Sequence, residues 1–238
     1  MNKTRNTRAL TAAAAAVVCL LAVLAPAAAA PANGGMAKST EQASTAAAST
    51  SASALAFHDA MRKLWEDHIT YTRNVIISFE LNDPHSKVVL PDLSAVVDRL
   101  LQNQVDIGDA IKPYYGADAG NQLTALLKEH INGAANVLTA LKANDRAALQ
   151  SALDAWYKNA HDIALFLSSA NPNNWPLDEM DQMMKDHLDA TTAEAVSRHQ
   201  SDWSGDVAAY EKVHAQALAM ADMLSNGIID QFPKGFRP

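Results

Sequence analysis

The sequence contains a single cysteine, Cys19, and it lies in an N-terminal segment that we expect to be removed. The mature chain would then form no disulfide and could not use a cysteine nucleophile. It also lacks the Cys-x-x-Cys-His motif that attaches a haem covalently. Its stability must therefore come from core packing, with the help of a bound ligand if it has one.

Positive charge is scarce as well. The chain has 19 Lys and Arg against 26 Asp and Glu, and loss of Lys3, Arg5 and Arg8 would make the mature protein more acidic still. An acidic protein is a poor partner for nucleic acid and for anionic membranes. The sequence has no phosphate-binding loop, nucleophile elbow or dinucleotide-binding glycine motif. The expected partners are therefore a metal ion or a small molecule, and not nucleic acid.

Residues 1–30 have a basic start, an apolar run and an alanine-rich end. This order is typical of a signal peptide, with cleavage near Ala28 or Ala29, and predicts export to the periplasm or the extracellular space. A retained anchor is the alternative, because the apolar run approaches membrane-spanning length. Residues 31–53 are rich in Ala, Ser and Thr and predict a flexible tether. The folded domain would occupy residues 54–238, without stable membrane insertion after cleavage.

The predicted domain has helical periodicity throughout and no alternating pattern typical of strands. Apolar residues recur at spacings of three and four, and turn clusters such as Asn171-Pro172-Asn173 separate the stripes. The stripes cover residues 64–79, 93–111, 123–141, 149–167, 178–195 and 207–228. We therefore predict an all-α fold, a bundle of about six helices.

The second and fourth of these helices share a polar pattern. Asn103-Gln104-Val105-Asp106-Ile107 matches Asn159-Ala160-His161-Asp162-Ile163. His130 follows the first asparagine by 27 residues, and His187 follows the second by 28. The pattern predicts a pseudo-twofold internal repeat, which relates helices two and three to helices four and five.

Four histidines stand where helical periodicity requires apolar core residues. They are His68, His130, His187 and His214. A buried imidazole with an unpaired nitrogen costs about 1–3 kcal/mol, so four of them need a common explanation. A metal ion would take one nitrogen from each ring while a carboxylate or an amide accepts from the other. We predict a metal site at these four residues, with Asp106 and Asp162 as further ligands or as acceptors.

This ligand set suits iron, copper or zinc, in a protein for metal handling or redox chemistry. Methionines at helical spacing, such as Met183 and Met184, would favour Cu(I). A non-covalent haem between two facing histidines is an alternative. Two other interpretations stay open. The histidines and aspartates could be the acid–base groups of a small-molecule enzyme, or the histidines could serve a pH-sensing or stress-response binding module.

Several segments carry a resemblance that spans roughly residues 64–236. They include Leu64-Trp65-Glu66-Asp67-His68, Leu126-Leu127-Lys128-Glu129-His130 and Gly227-Ile228-Ile229-Asp230-Gln231-Phe232-Pro233. Together they resemble a family of small, often exported bacterial helical proteins whose members carry labels such as glycosyltransferase or acetylglutamate kinase. The resemblance implies a shared all-helical fold. The labels imply sugar-nucleotide or ATP chemistry, for which the sequence offers no phosphate-binding motif.

Overall fold

The computed structural model describes residues 51–82 and 92–236, and this part of the chain is almost entirely α-helical, without a β-strand. Six helices follow one another. They are α1 (Ala52–Leu81), α2 (Leu93–Tyr115), α3 (Ala117–Lys142), α4 (Arg146–Ala170), α5 (Leu177–His199) and α6 (Trp203–Gln231). A short 3₁₀ turn, Pro233–Phe236, follows α6. The predicted all-α bundle of six helices is confirmed.

The predicted signal peptide and most of the predicted tether lie outside the described residues. Helix α1 begins at Ala52, so the last residues assigned to the tether belong to the domain. No helix in the described ranges is both long enough and apolar enough to cross a membrane.

Helix boundaries follow from side-chain caps and from backbone conformation. Ser51, Asp145 and Asp202 each accept a hydrogen bond from backbone N–H groups in the first turn of the helix that follows, which satisfies donors that the helix itself cannot pair. Gly116, with a φ of 87°, separates α2 from α3. Asn144, with a φ of 54°, occupies the turn between α3 and α4. Such left-handed conformations suit Gly and Asn and end the preceding helix.

The six helices form a closed ring. Each helix packs against the next one in the chain, and α6 packs against α1. Direct contacts also join α1 to α5, α3 to α5 and α1 to α3. Helices α1, α3 and α5 therefore lie on the inside, and each is followed by an even-numbered helix that completes a hairpin.

Helices α2 and α3 approach each other closely at two glycines. A Cβ atom added to Gly108 would lie 2.6 Å from the Gly120 carbonyl oxygen, and one added to Gly120 would lie 2.6 Å from the Gly108 carbonyl oxygen. Any side chain at either position would force the two backbones apart. The absence of a Cβ at both positions thus sets the spacing of this helix pair.

Candidate functional site

Three of the predicted histidines meet in the middle of the bundle. His68 on α1, His130 on α3 and His187 on α5 are 2%, 3% and 4% exposed. The centroid of the His187 ring lies 5.8 Å from that of His68 and 6.1 Å from that of His130. Side chains from three separate hairpins therefore form one buried group, which we call the histidine cluster.

In the α3–α4 hairpin, one amide side chain holds the histidine ring. Asn159 Nδ2 donates to the Leu126 carbonyl at 3.2 Å, and Asn159 Oδ1 lies 2.9 Å from His130 Nδ1. Because a carbonyl can only accept, the first contact fixes the orientation of the amide. Asn159 Oδ1 must then accept from a protonated Nδ1. The neutral His130 ring therefore carries its free lone pair on Nε2.

The α5–α6 hairpin repeats this arrangement. Gln216 Nε2 donates to the Met183 carbonyl at 3.1 Å, and Gln216 Oε1 lies 3.0 Å from His187 Nδ1. The same reasoning places the His187 proton on Nδ1 and the lone pair on Nε2. Gln216 was not among the residues predicted from the sequence. The signal was present, however, because in both hairpins the amide residue follows its histidine by 29 residues.

In the α1–α2 hairpin, Asn103 makes the contact with the backbone and Gln104 makes the contact with the ring. Gln104 Nε2 also donates to the Leu100 carbonyl at 2.8 Å, so it donates to His68 Nδ1, which is the reverse of the ring contact at His130 and His187. Asn103 Nδ2 donates to the Leu64 carbonyl at 2.9 Å, and Gln104 Nε2 lies 3.2 Å from His68 Nδ1. The carbonyl that is bonded precedes the histidine by four residues, as it does in the other two hairpins. Asn103, Asn159 and Gln216 therefore occupy equivalent positions in the three hairpins, and each donates to the carbonyl four residues before the histidine.

Burial keeps the three rings neutral. Removal from water lowers the pKa of His130 to about 3, with a further lowering from nearby His187 and an opposing effect of the Asn159 hydrogen bond. Burial also lowers the pKa of His68 well below its ordinary value, and the neighbouring His187 and His130 add to the effect. The pKa of His187 is lowered by burial against the Gln216 hydrogen bond. Neutral imidazoles are the form that binds metal ions.

Two tryptophans pack against the histidine cluster. The Trp65 ring centroid lies 5.7 Å from that of His68, and the Trp156 centroid lies 5.2 Å from that of His130. The indole nitrogens of both tryptophans are buried and have no hydrogen-bond partner among the described residues. Buried N–H donors are normally paired, so these two indole groups are exceptions.

The structure does not bring His214 to the cluster. Its side chain is 33% exposed, and Nε2 lies 3.2 Å from Glu66 Oε1. The inner face of α6 is formed instead by residues such as Val213 and Ala217, which are fully buried. Val213 precedes His214 by one residue, which is about 100° of helical rotation. The predicted stripe was therefore offset by one position at this point.

The two predicted aspartates also lie away from the cluster. Asp106 contacts Arg99 at 3.3 Å and Gln102 at 3.0 Å, and Asp162 contacts Lys158 at 2.6 Å on an exposed face. Both carboxylates are used in partly exposed polar contacts. Within the described ranges, no three or more His, Cys, Asp or Glu side chains are arranged as a ready metal site. Carboxylates thus contribute nothing to the cluster.

A second buried polar group lies between α1, α5 and α6. Glu194 and Asp206 are 1% and 2% exposed. Arg73 contacts Glu194 at 2.7 Å and Asp206 at 2.9 Å, and Arg198 contacts Asp206 at 3.1 Å. Burial raises the pKa of Glu194 to about 7, although the hydrogen bond and charge of Arg73 act against the rise. We call these four residues the charged cluster.

An apolar cavity of about 80 Å³ lies beside the histidine cluster. Thr72, Ala134 and Thr191, each four residues after a histidine of the cluster, line it together with Trp156. The cavity therefore occupies the next turn of the three inner helices. Trp156 contacts both the cavity and the His130 ring.

No protein-family model, curated protein or solved structure matches this chain. The functional argument therefore depends on the geometry of the site.

Proposed function

We propose that the protein binds a transition-metal ion at the histidine cluster. The observation that carries the proposal is the convergence of three buried, neutral imidazoles from three hairpins, two of them with Nδ1 engaged by an amide oxygen. In metal sites, a ligating histidine commonly donates its second N–H to a protein oxygen, which orients the ring and fixes its tautomer. Asn159 and Gln216 act on His130 and His187 in that way.

The spacing of the rings supports this assignment. Metal–nitrogen bonds of about 2.0–2.1 Å place the centroids of ligating rings roughly 5–6 Å apart. The separation from His187 to His68, 5.8 Å, lies within that range, and the separation from His187 to His130, 6.1 Å, lies just above it. Binding would therefore need His130 and His187 to move slightly closer together and His68 to change its contact with Gln104.

The chemistry of the cluster favours copper, with zinc and iron next. Imidazole suits all three metals, but the cluster contains no anionic ligand. The charge of the ion would stay uncompensated in the core, so a monovalent ion costs less to bury than a divalent one. Met183 and Met184, one turn before His187, are buried and bring soft thioether groups near the site. Cu(I) meets both conditions. A haem is a poorer fit, because the adjoining cavity of about 80 Å³ is far smaller than a porphyrin.

The signal-peptide pattern of residues 1–30 supports a role in metal handling outside the cytoplasm. The site would then take up or hold an ion in the periplasm or the extracellular space. A fully buried site suits storage or transfer, since each exchange of the ion requires the helices to open.

Titration of the metal-free protein tests the proposal. Cu(I), added without oxygen, and Zn²⁺ are titrated separately while the melting temperature and bound metal are measured. An ion present at 100 times its Kd should raise the free energy of unfolding by about 2.7 kcal/mol. His187→Leu should remove binding, because His187 is the ring common to both close pairs. Circular dichroism verifies that this variant remains helical.

His214→Gln is the matched control, because His214 is a helical histidine outside the cluster. It should leave binding unchanged. Absence of stoichiometric binding by the wild type, or equal binding by the His187→Leu variant, would reject the proposal. Loss of binding in His214→Gln would assign the metal to the surface instead.

A further inference from the structure

The cavity beside the histidine cluster separates two parts of the hydrophobic core. Ile76, Leu138 and Ala195 form a buried apolar group of their own, apart from the main core that contains Val137 and Trp156. Residues of both groups line the cavity, whose volume is about 80 Å³. Protein interiors are normally close-packed, and the side chains around an empty space lose contacts that a bound molecule would restore. A ligand of suitable size and polarity would therefore gain contacts with both groups.

Hydrogen-bonding groups are scarce inside the cavity. Thr72 and Thr191 use their hydroxyls to donate to the carbonyl four residues earlier in their own helices, at 2.8 Å in both cases. Trp156 Nε1 and Thr192 Oγ1 are too deeply buried to touch even a water molecule, so they do not face the open space. Among the described residues no charged side chain lines the cavity, and the remaining polar one, Asn132, is an exposed residue of α3 at the rim. The inner wall is therefore almost wholly apolar.

Low polarity and small volume together limit what the cavity can hold. A buried water molecule needs about two to four polar partners, so this wall holds water poorly. An apolar cavity of about 150 Å³ stays dry and binds benzene or xenon. The present cavity, at about 80 Å³, has roughly half that volume and suits a molecule of about two to four non-hydrogen atoms. A charged molecule would lose its hydration without compensation and is excluded.

We propose that this cavity binds a small apolar gas molecule, of the class of dioxygen. Such a molecule has few atoms, no charge and no need of a hydrogen bond, so the wall that holds water poorly accepts it. Asn132 and Ala135 at the rim are exposed and mark its way in from solvent. Thr72, Ala134 and Thr191 line the cavity one turn after the three histidines, so the bound gas lies roughly 5–6 Å along the helix axes from the histidine cluster. This binding does not depend on a metal at that cluster.

Xenon is the first probe, because it is an apolar gas whose binding shifts the NMR signals of the methyl groups that it touches. It is applied under pressure to metal-free, methyl-¹³C-labelled protein in the presence of a chelator. The methyl signals of Ile76 and Leu138 should shift and saturate with one common Kd, on the order of 10 mM, as befits so few atoms. The signals of Leu188, which is fully buried away from the cavity, should stay in place. Shifts that rise linearly and equally at all three residues would overturn the proposal.

Dioxygen is the second probe, and it tests the class of ligand directly. Because dioxygen is paramagnetic, it speeds the relaxation of nuclei near which it resides. Under dioxygen pressure the methyl groups of Ile76 and Leu138 should relax several times faster than those of the equally buried Leu188. Xenon binding without this difference would reject dioxygen as the ligand.

Two substitutions change the volume of the cavity in opposite directions. Ala195→Leu fills it and should abolish the xenon shifts, whereas Ala155→Leu, at an exposed position of α4, is the matched control and should bind xenon as the wild type does. Leu138→Ala enlarges the cavity and should admit benzene, which the wild type should exclude. This variant also tests the proposal if Ala195→Leu does not fold.

Three results would contradict the assignment. Unchanged xenon binding in Ala195→Leu would place the gas elsewhere in the protein. Equal benzene binding by the wild type and by Leu138→Ala would rule out the size given to the ligand. A long-lived water in the cavity that xenon does not displace would show that the wall is not dry.

Discussion

His130 Nδ1 lies 2.9 Å from Asn159 Oδ1, and the same amide donates to the carbonyl one turn before His130. A single side chain of α4 thus joins two points of α3, a ring nitrogen and a backbone oxygen. The arrangement recurs between Gln216 and α5. Because the amide contacts two groups in fixed directions, it determines both the tautomer and the orientation of the ring.

Asn159→Ala should destabilise the protein by about 1–3 kcal/mol, since it leaves the buried Nδ1–H of His130 without an acceptor. Urea denaturation of the metal-free protein measures the change. Gln150→Ala removes another amide of α4, one that contacts Asp154 on the exposed surface. It should change the free energy of unfolding by less than about 0.5 kcal/mol. Equal effects of the two substitutions would contradict the structural role of Asn159.

Mild acid should destabilise the metal-free protein, because the buried histidines stay neutral while those of the unfolded chain take up protons. The pKa of His130 is lowered to about 3, so between the unfolded-state value near 6.5 and that value the unfolded chain binds more protons than the folded one. The stabilisation that the folded protein gains from the neutral His130 ring is complete above pH 6.5 and decreases as the pH falls below that value. From pH 6.5 to 5 the free energy of unfolding should fall by roughly 2 kcal/mol on account of His130 alone.

The measurement is chemical denaturation between pH 5 and 8 in a chelator, with His130→Leu as the reference without this titrating ring. The difference between wild type and variant isolates the contribution of His130 from that of other groups. A wild-type-to-variant difference that is constant with pH would be inconsistent with a buried, neutral His130.

Glu194 should have the opposite pH dependence. Its pKa is raised to about 7, mainly by burial, so the folded state holds a proton that the unfolded state releases near pH 4.5. Stability relative to Glu194→Gln should therefore decrease by up to about 3 kcal/mol as the pH rises from 4.5 to 7. Denaturation curves of both proteins across this range measure the effect. No pH dependence of the difference would show that Arg73 fully compensates the carboxylate.

Asp206→Asn should be far more harmful than Glu194→Gln. Asp206 accepts hydrogen bonds from two arginines, Arg73 and Arg198, through both carboxylate oxygens. Its replacement leaves two partly buried cations with too few anions, and removal of one partner of a buried ion pair typically costs about 3–5 kcal/mol. Thermal denaturation at pH 8 compares the two variants directly. A similar loss of stability in both variants would show that Asp206 is no more important to the charged cluster than Glu194 is.

Gly108→Ala should destabilise the α2–α3 pair, although alanine favours helix over glycine. The added Cβ would lie 2.0 Å from Thr124 Oγ1 and 2.6 Å from the Gly120 carbonyl oxygen. Thr124→Ala in the same chain relieves only the first contact. We expect a loss of about 1–3 kcal/mol that the second substitution restores only in part. Full restoration would mean that the two backbones are free to separate.

The fold class and the approximate helix positions could be predicted from the sequence. Apolar residues that recur at spacings of three and four over about 20 residues indicate an amphipathic helix and no other regular structure. The same periodicity correctly placed His68, His130 and His187 on buried faces. It failed at His214, since α6 has small apolar residues on neighbouring faces and several stripes fit almost equally well. Only packing against α1 and α5 selects the stripe that contains Val213.

The partners of the histidines could not be predicted in the same way. Asp106 and Asp162 were chosen because a carboxylate near a buried ring is a good acceptor, yet partly exposed arginine and lysine side chains engage them. The actual acceptors are uncharged amides such as Gln216. Which polar residue of a helix faces a given ring depends on helix rotation within the ring of six helices, and that rotation is a tertiary property.

The closure of the bundle has a consequence for how the chain can be reconnected. Ser51 Oγ donates to the Phe236 carbonyl, so the first and last parts of the described domain touch. A short linker between them, with new ends opened at Gly116, should give a circular permutant that folds. All three hairpins would stay continuous, and the α1–α2 hairpin would move to the end of the chain. The central histidines would then be assembled by the same three helices in a different order of synthesis.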